Sequence, residues 1–318
     1  MNEMNKNKNI TKMLVLPQDG SSFAMRSLDY INLMFGPAHD LTPVLLHILP
    51  SLPPALADEG RRNKNLAKQL QQIEKRNEKN SQNVLQKAKE VLVQYGFDPE
   101  KIKTVCQKRK LDIAMDIACW SEEKMADGLV LSSHGRSWLE AVFMGEVSTK
   151  LLECSRTCPV WMLRGLIRNR HVLVAVDQSD HALHSVDYAG FMLNGTESRI
   201  TLFHGKPKLR RFLPKALFED MPGIEETLSR KTDETIGPVM EKAKEMLVQA
   251  GIEENNVTIE INDGSRNPAK DILEAARKHD CGTIILGRKG DSEAKGFSMG
   301  SFTRKVLEGV TDMAVWVV

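Results

Sequence analysis

Long apolar runs are missing from this 318-residue chain, and none approaches the ~18 consecutive residues of a membrane-spanning helix. No membrane partner is therefore expected. A one-sided charge is also missing: 44 Lys and Arg stand against 42 Asp and Glu, for a net +2. Such a chain has no global electrostatic pull toward nucleic acid, so no DNA partner is expected. The local run Lys206, Lys208, Arg210, Arg211 and Lys215 reads as a solvated loop. Cysteines are few, odd in number and irregularly spaced (Cys106, Cys119, Cys154, Cys158, Cys281), which excludes a disulfide framework. Cys154 and Cys158 are the closest pair, but no second Cys or His pair completes a zinc site. Reduced, mostly buried thiols are expected. Met1 to Lys12 is rich in Asn and Lys and has no apolar segment of the secretory kind, which points to the cytoplasm. Neither GxxxxGK[ST] nor GxGxxG occurs, so the commonest NTPase and dinucleotide fingerprints are absent.

What is present is an internal repeat. Ser27-Leu28-Asp29-Tyr30 returns as Ser185-Val186-Asp187-Tyr188, and Leu46-His47 as Phe203-His204. Gly135 and Gly145 return as Gly290 and Gly300. Pro159 to Leu163 returns as Ala314 to Val318. The spacing between matched positions stays nearly constant along the chain. The repeat unit is thus a whole domain, far longer than the ~20–50 residues of solenoid repeats. Two domains are expected, residues 1–166 and 167–318, joined by the short linker Arg164 to Asn169 and packed against each other.

The second half is the cleaner copy. His171 to Val176 is a short β-branched run suited to a buried parallel strand. Asp177 to Asp180 carries helix-capping chemistry ahead of a helix over Ala182 to Leu193. Further strands are expected over Ile200 to Phe203, Val257 to Ile261, Thr283 to Leu286 and Met313 to Val318. Helices are expected over Glu225 to Ala250, ending at Gly251, and over Ala269 to His279 and Gly300 to Gly309. The first half follows the same order, with Leu56 to Gln94 as one charged surface helix with a mobile start. Strict alternation of strand and helix predicts the α/β class: two tandem, Rossmann-like, open parallel five-stranded sheets with helices on both faces.

In such sheets, ligands sit at the carboxyl ends of strands, beside the point where strand order reverses. Two segments of the second half converge there: Ala175-Val176-Asp177, and Gly287-Arg288-Lys289-Gly290 followed by Gly300-Ser301-Phe302-Thr303. Glycines let backbone N–H groups approach an anion, and a helix opening at Gly300-Ser301 offers unpaired donors and a favourable dipole. Ser301 and Thr303 add hydroxyls, Arg288 and Lys289 add countercharge, and Asp177 can take a ribose hydroxyl or a Mg²⁺ ion. This is phosphate-binding chemistry, although glycine spacing alone is a weak signal and tight turns would need the same residues.

With those residues in view, the chain resembles the universal stress protein family in its tandem two-domain form. The family signature G-x2-G-x9-G-[ST] is matched in full by Gly287, Gly290, Gly300 and Ser301. Val174 to Ser179 resembles the family's first-strand segment, and Cys158-Pro159-Val160 the approach to its last strand. The resemblance implies an ATP-binding stress-response or signalling module, with ATP, and Mg²⁺ beside it, held by the second half. It places adenine and ribose contacts on Ala175, Val176, Asp177 and Gly205. It places phosphate contacts on Gly287, Lys289, Gly290, Gly300, Ser301, Phe302 and Thr303. It also implies antiparallel pairing of the two last strands within one chain, an intrachain pseudo-dimer, and leaves a further homodimer open.

The first half departs from the signature. Ser132 stands for Gly287 and Glu146 for Ser301, while Gly135 and Gly145 remain; Pro17-Gln18 replaces Ala175-Val176 ahead of Asp19. A carboxylate at a helix start repels phosphate and competes for the same N–H donors. This degenerate site (Asp19, Ser132, Gly135, Gly145, Glu146) is expected to bind ATP poorly, serving as a structural partner or holding an uncharged or cationic ligand. His181 and His184 read as a solvent-facing helical turn, so no metal is expected; His47 and His204 read as structural, and Trp161 and Trp316 as packing. No general base presents itself beyond Asp177, so no catalytic residue is expected. The competing readings are a slow ATP hydrolase and a scaffold that binds no nucleotide. A protein partner is expected but unnamed.

Overall fold

A computed structural model of the chain describes residues 11–132, 146–207, 224–265, 267–288 and 300–318. Strands and helices alternate through two compact units, the first running to Val160 and the second starting at Trp161.

The first unit contains β1 (Lys12–Pro17), α1 (Ser22–Met34), β2 (Leu41–Leu49), α2 (Pro54–Arg62), α3 (Lys64–Gln94), β3 (Lys103–Lys108), α4 (Ile113–Glu123), β4 (Gly128–Ser132) and α5 (Glu146–Cys154). Its strands are parallel, in the order β3-β2-β1-β4. Leu14, Val15 and Leu16 of the interior strand β1 are wholly buried, as an apolar run between two parallel neighbours requires. The polar stretch from Leu56 to Gln94 is two helices, which corrects the expectation of one. Asn63 breaks it with an extended backbone, and its side-chain oxygen accepts the N–H groups of Asn65 (3.0 Å) and Leu66 (3.2 Å) to cap α3. Asn competes with the helix for exactly such backbone donors, so a cap interrupts what composition alone reads as continuous.

The second unit contains most of β5 (Val160–Arg164), then β6 (Val172–Ala175), α6 (Asp180–Leu193), β7 (Ile200–Pro207), α7 (Ile224–Gln249), β8 (Val257–Ser265), α8 (Pro268–Lys278), β9 (Thr283–Leu286), α9 (Ser301–Gly309) and β10 (Met313–Val317). The parallel order is β10-β9-β6-β7-β8. The indoles of Trp161 and Trp316 stack at 3.8 Å, and Trp161 Nε1 donates to the Tyr188 hydroxyl at 3.0 Å. The buried Arg164 guanidinium donates to the carbonyls of Leu307 (2.5 Å) and Glu308 (3.3 Å), capping the end of α9. Gly165 has a left-handed backbone (φ +68°), and a Cβ there would lie 2.0 Å from Asp312 Oδ1, so the turn excludes any side chain.

Two further expectations need correction. Gly205 lies inside β7, because that strand runs on to Pro207, and the register with β8 shifts between Gly205 and Pro207. All five cysteines are free thiols, but Cys106 and Cys119 are exposed and Cys154 half-buried; only Cys158 and Cys281 are buried. Among the described residues, no helix is long and apolar enough to cross a membrane.

Candidate functional site

In the second unit β6 lies between β9 and β7, so the chain leaves its tip at the point where strand order reverses. The Val176 N–H donates to Phe203 O (2.9 Å), which carries the β6–β7 ladder one residue beyond β6. The Val176 carbonyl accepts from His204 Nδ1 at 2.7 Å. A carbonyl only accepts, so His204 carries its proton on Nδ1; burial pushes its pKa down and keeps the ring neutral. His204 thus braces the backbone from which Asp177 projects.

Asp177 Oδ1 accepts the N–H of Ser179 at 2.9 Å and also its hydroxyl. Ser179 Oγ in turn accepts the Ala182 N–H (3.2 Å) as the N-cap of α6. One carboxylate oxygen therefore orients the capping serine. The half-buried carboxylate keeps Oδ2 for a hydroxyl or a cation.

The β6–β9 register pairs Val172 with Thr283 and Val174 with Ile285. Carried forward two residues, it sets Val176 beside Gly287. Beyond β9, the Arg288 N–H donates to Val318 O (2.7 Å), the Gly300 N–H to Arg288 O (3.4 Å) and the Thr303 hydroxyl to Gly287 O (3.3 Å). Gly287-Arg288 and Gly300 to Thr303, twelve positions apart along the motif, are thereby clasped together at the β9 tip. Gly300 is the N-cap of α9 and supplies no side-chain cap, and among the described residues no side chain takes the first N–H groups of that helix, the donors an anion would use. Thr303 is 1% exposed, and its hydroxyl is committed to the clasp. Phe302 is half-buried, and Ser301 opens the helix. Lys289 and Gly290 lie outside the described residues. The chain reading missed the clasp itself: the Thr303–Gly287 bond joins two motif positions whose spacing carries no sign of it.

The first unit repeats the scaffold. The Gln18 N–H donates to Leu46 O (2.8 Å), and His47 Nδ1 donates to Gln18 O at 2.6 Å. Asp19 Oδ1 accepts the Ser21 N–H (2.8 Å), and Ser21 Oγ caps α1 through Ala24 N–H (3.1 Å). The two histidines read as structural thus brace equivalent carbonyls. Ser132 ends β4 and Glu146 is the first residue of α5. Gly135 and Gly145 lie outside the described residues. Among the described residues, no three His, Cys, Asp or Glu side chains converge as a metal site would require.

With this geometry in hand, comparison with known families is decisive. The model of the universal stress protein family matches residues 11–164 and again 168–318. The chain belongs to the universal stress protein family. It carries two tandem copies of the family domain, each Rossmann-like. A universal stress protein from Archaeoglobus fulgidus DSM 4304 is similar across 96% of this chain and 98% of its own, at 19% identity and a TM-score of 0.62. A functionally unknown protein from Pseudomonas aeruginosa PAO1 is similar over 98% of this chain and 93% of its own, at 15% identity and a TM-score of 0.53. These likenesses show a shared fold. A search of curated proteins gave no match.

Proposed function

We propose that the second unit of this universal stress protein binds an adenine nucleotide, ATP with Mg²⁺, and works as a stress-response binding module. The observation that carries this reading is the clasp at the β9 tip. It sets an uncapped helix N-terminus and the half-buried Arg288 at the tip of the strand beside Asp177. The residues present fit the nucleotide. The α9 N–H groups with Gly287, Gly300, Ser301 and Phe302, and Lys289 and Gly290 from the signature, would receive the phosphates. Asp177 Oδ2 would accept a ribose hydroxyl or hold the metal, and Ala175, Val176 and Gly205 would line the nucleoside side. Thr303 would shape the loop through Gly287.

The module is read as a binder and not a hydrolase because Asp177, the carboxylate at the strand tip, is assigned to the nucleoside side of the site, with Oδ1 orienting Ser179 and Oδ2 committed to a ribose hydroxyl or the metal. A catalytic base must instead be free to meet the attacking water. The same reading includes pairing of the two final strands within the chain, a cytoplasmic setting, and a protein partner that senses the loaded state.

Titration calorimetry of the full chain with MgATP tests it. One site per chain is expected, lost in Gly300→Pro-type loop variants and weakened in Asp177→Ala. No heat at millimolar MgATP would overturn it. Steady phosphate release abolished by Ser301→Ala would replace the binding module with an ATPase.

A further inference from the structure

β3 closes the first unit's sheet: it pairs with β2, and among the described residues no strand pairs with its other side. The β2–β3 register runs without a shift from Val44 beside Lys103 to Leu49 beside Lys108. The Arg109 N–H donates to Leu49 O at 3.1 Å. Backbone groups along a strand turn to alternate sides, so Val105, Gln107 and Arg109 face β2. Thr104, Cys106 and Lys108 then turn their N–H and C=O groups outward, as a row of unpaired donors and acceptors. The side chains of these three share the face of α3, where Cys106 Sγ meets Ser81 Oγ at 3.0 Å. The strand is open to solvent, with Lys103, Thr104, Cys106 and Lys108 all exposed.

The charge along this edge is of one sign. Lys103 and Lys108 lie in β3, and Arg109 and Lys110 follow it, all exposed. Among the described residues none of the four makes an ion pair, and Arg109 Nε donates to Ser51 Oγ at 3.2 Å. Lys110 feels Glu123 at longer range, but that carboxylate is joined to Lys124 at 3.0 Å. The edge strand of the second unit, β8, is instead neutralised from within. Its Glu260 accepts from Lys278 (2.8 Å) and its Asp263 from Lys206 (2.7 Å). The β3 edge therefore carries cations that its own unit does not answer. Leu111, 65% exposed, adds an apolar surface just past the strand.

We propose that β3 is a docking edge for an acidic, extended segment of a partner protein, which joins the sheet as a further strand. The segment's backbone meets the outward N–H and C=O groups of Thr104, Cys106 and Lys108, and its carboxylates meet Lys103, Lys108, Arg109 and Lys110. A nucleic acid would suit the cations but not the outward carbonyls, which would face its phosphates acceptor to acceptor. A second copy of β3 would suit the backbone but not the charge, since lysines on an edge repel their like. A peptide strand of opposite charge satisfies both. The inference gives the protein partner proposed above a place and a chemistry, and rests on that reading only for there being such a partner; the edge itself needs no nucleotide.

The test follows a fluorescein-labelled octapeptide, alternating Glu with Thr and Val, by anisotropy against the full chain with and without MgATP. Binding is expected in both conditions. An equally charged peptide alternating Glu with Pro cannot form the ladder and should bind at least about tenfold more weakly. Lys103→Glu combined with Lys108→Glu, both at exposed positions, should weaken the octapeptide about tenfold or more. Cys106→Pro removes one outward N–H, at the kind of place where an edge strand accepts proline, and should weaken it too. Hydrogen exchange should show new protection at the N–H groups of Thr104, Cys106 and Lys108, with Val105, Gln107 and Arg109 protected throughout. Should Cys106→Pro fail to fold, the charge reversal and the exchange pattern still decide. Absence of binding at millimolar octapeptide overturns the proposal. So does equal binding of the Glu-Pro peptide or of an eight-nucleotide oligothymidylate, an affinity unmoved by the double charge reversal, or protection gained elsewhere and not at those three N–H groups. Failure of MgATP to bind would remove the reading of the second unit, while octapeptide binding sensitive to Lys103 and Lys108 would still uphold this one.

Discussion

In both units an aspartate follows the first strand and accepts the N–H of a serine two residues on. That serine caps the next helix, and a histidine from the second strand braces the carbonyl before the aspartate. Around this common frame the two strand tips differ side chain by side chain. The second unit presents Val176, Gly287 and a helix opened by Gly300-Ser301, while the first presents Gln18, Ser132 and a helix opened by Glu146. The frame is made almost wholly of backbone and capping bonds, so it survives a complete change in what faces a ligand. Fold and ligand chemistry are separable here because they draw on different atoms.

Truncations in the shared frame should produce the largest effect and should not distinguish the units. Val15→Ala and Leu173→Ala each truncate a wholly buried side chain at matched positions of the two first strands and should each cost about 2 to 3 kcal/mol in urea unfolding. A loss confined to one of them would break the equivalence. The next effect should split the units cleanly. Ser301→Glu, which copies the first unit's Glu146, should weaken MgATP by roughly 100-fold in calorimetry, because a fixed anion then competes for the helix N-terminus. An unchanged affinity would mean that the phosphates lie elsewhere.

Removing the caps sharpens the comparison further. Ser21→Ala and Ser179→Ala should each cost about 1 kcal/mol of stability. Only Ser179→Ala should also weaken MgATP, since it releases Asp177, and equal weakening by both would contradict a single nucleotide site. The smallest effect is one of pH. Burial holds the pKa of His204 below its ordinary value of 6.5, so the unfolded chain binds the extra proton more readily. Its contribution to stability is complete above about pH 6.5 and declines as the pH falls through that value. His171 shifts in the same direction, also by burial, and adds to the slope. Denaturation between pH 7 and 5 should show this loss, and His204→Asn should flatten it.

The alternation of strands and helices was legible in the chain because short β-branched runs such as Val172 to Ala175 and capped amphipathic segments such as Pro268 to Lys278 carry their periodicity locally. The chain reading was least reliable where one residue arbitrates between equal local options. Asn63 divides a uniformly helix-prone stretch, and β7 continues through Gly205 because β8 offers a partner for its backbone. Of the candidate site, the motif positions were readable but their mutual contacts were not. The bond from Thr303 to Gly287, and those from the Gln18 amide to Ala24 and Ser27, depend on atoms that meet only after strands and helices have packed.

By itself the sequence determined the duplication, the α/β order, the family signature in the second half and its erosion in the first. Each of these is written in residue types at fixed spacing. Only the tertiary structure decided which polar atoms are satisfied. Register between strands distant in the chain sets Val176 beside Gly287 and Gln18 beside Ser132. Whether a buried donor or acceptor finds its partner depends on distances of a few tenths of an ångström, which no local pattern encodes.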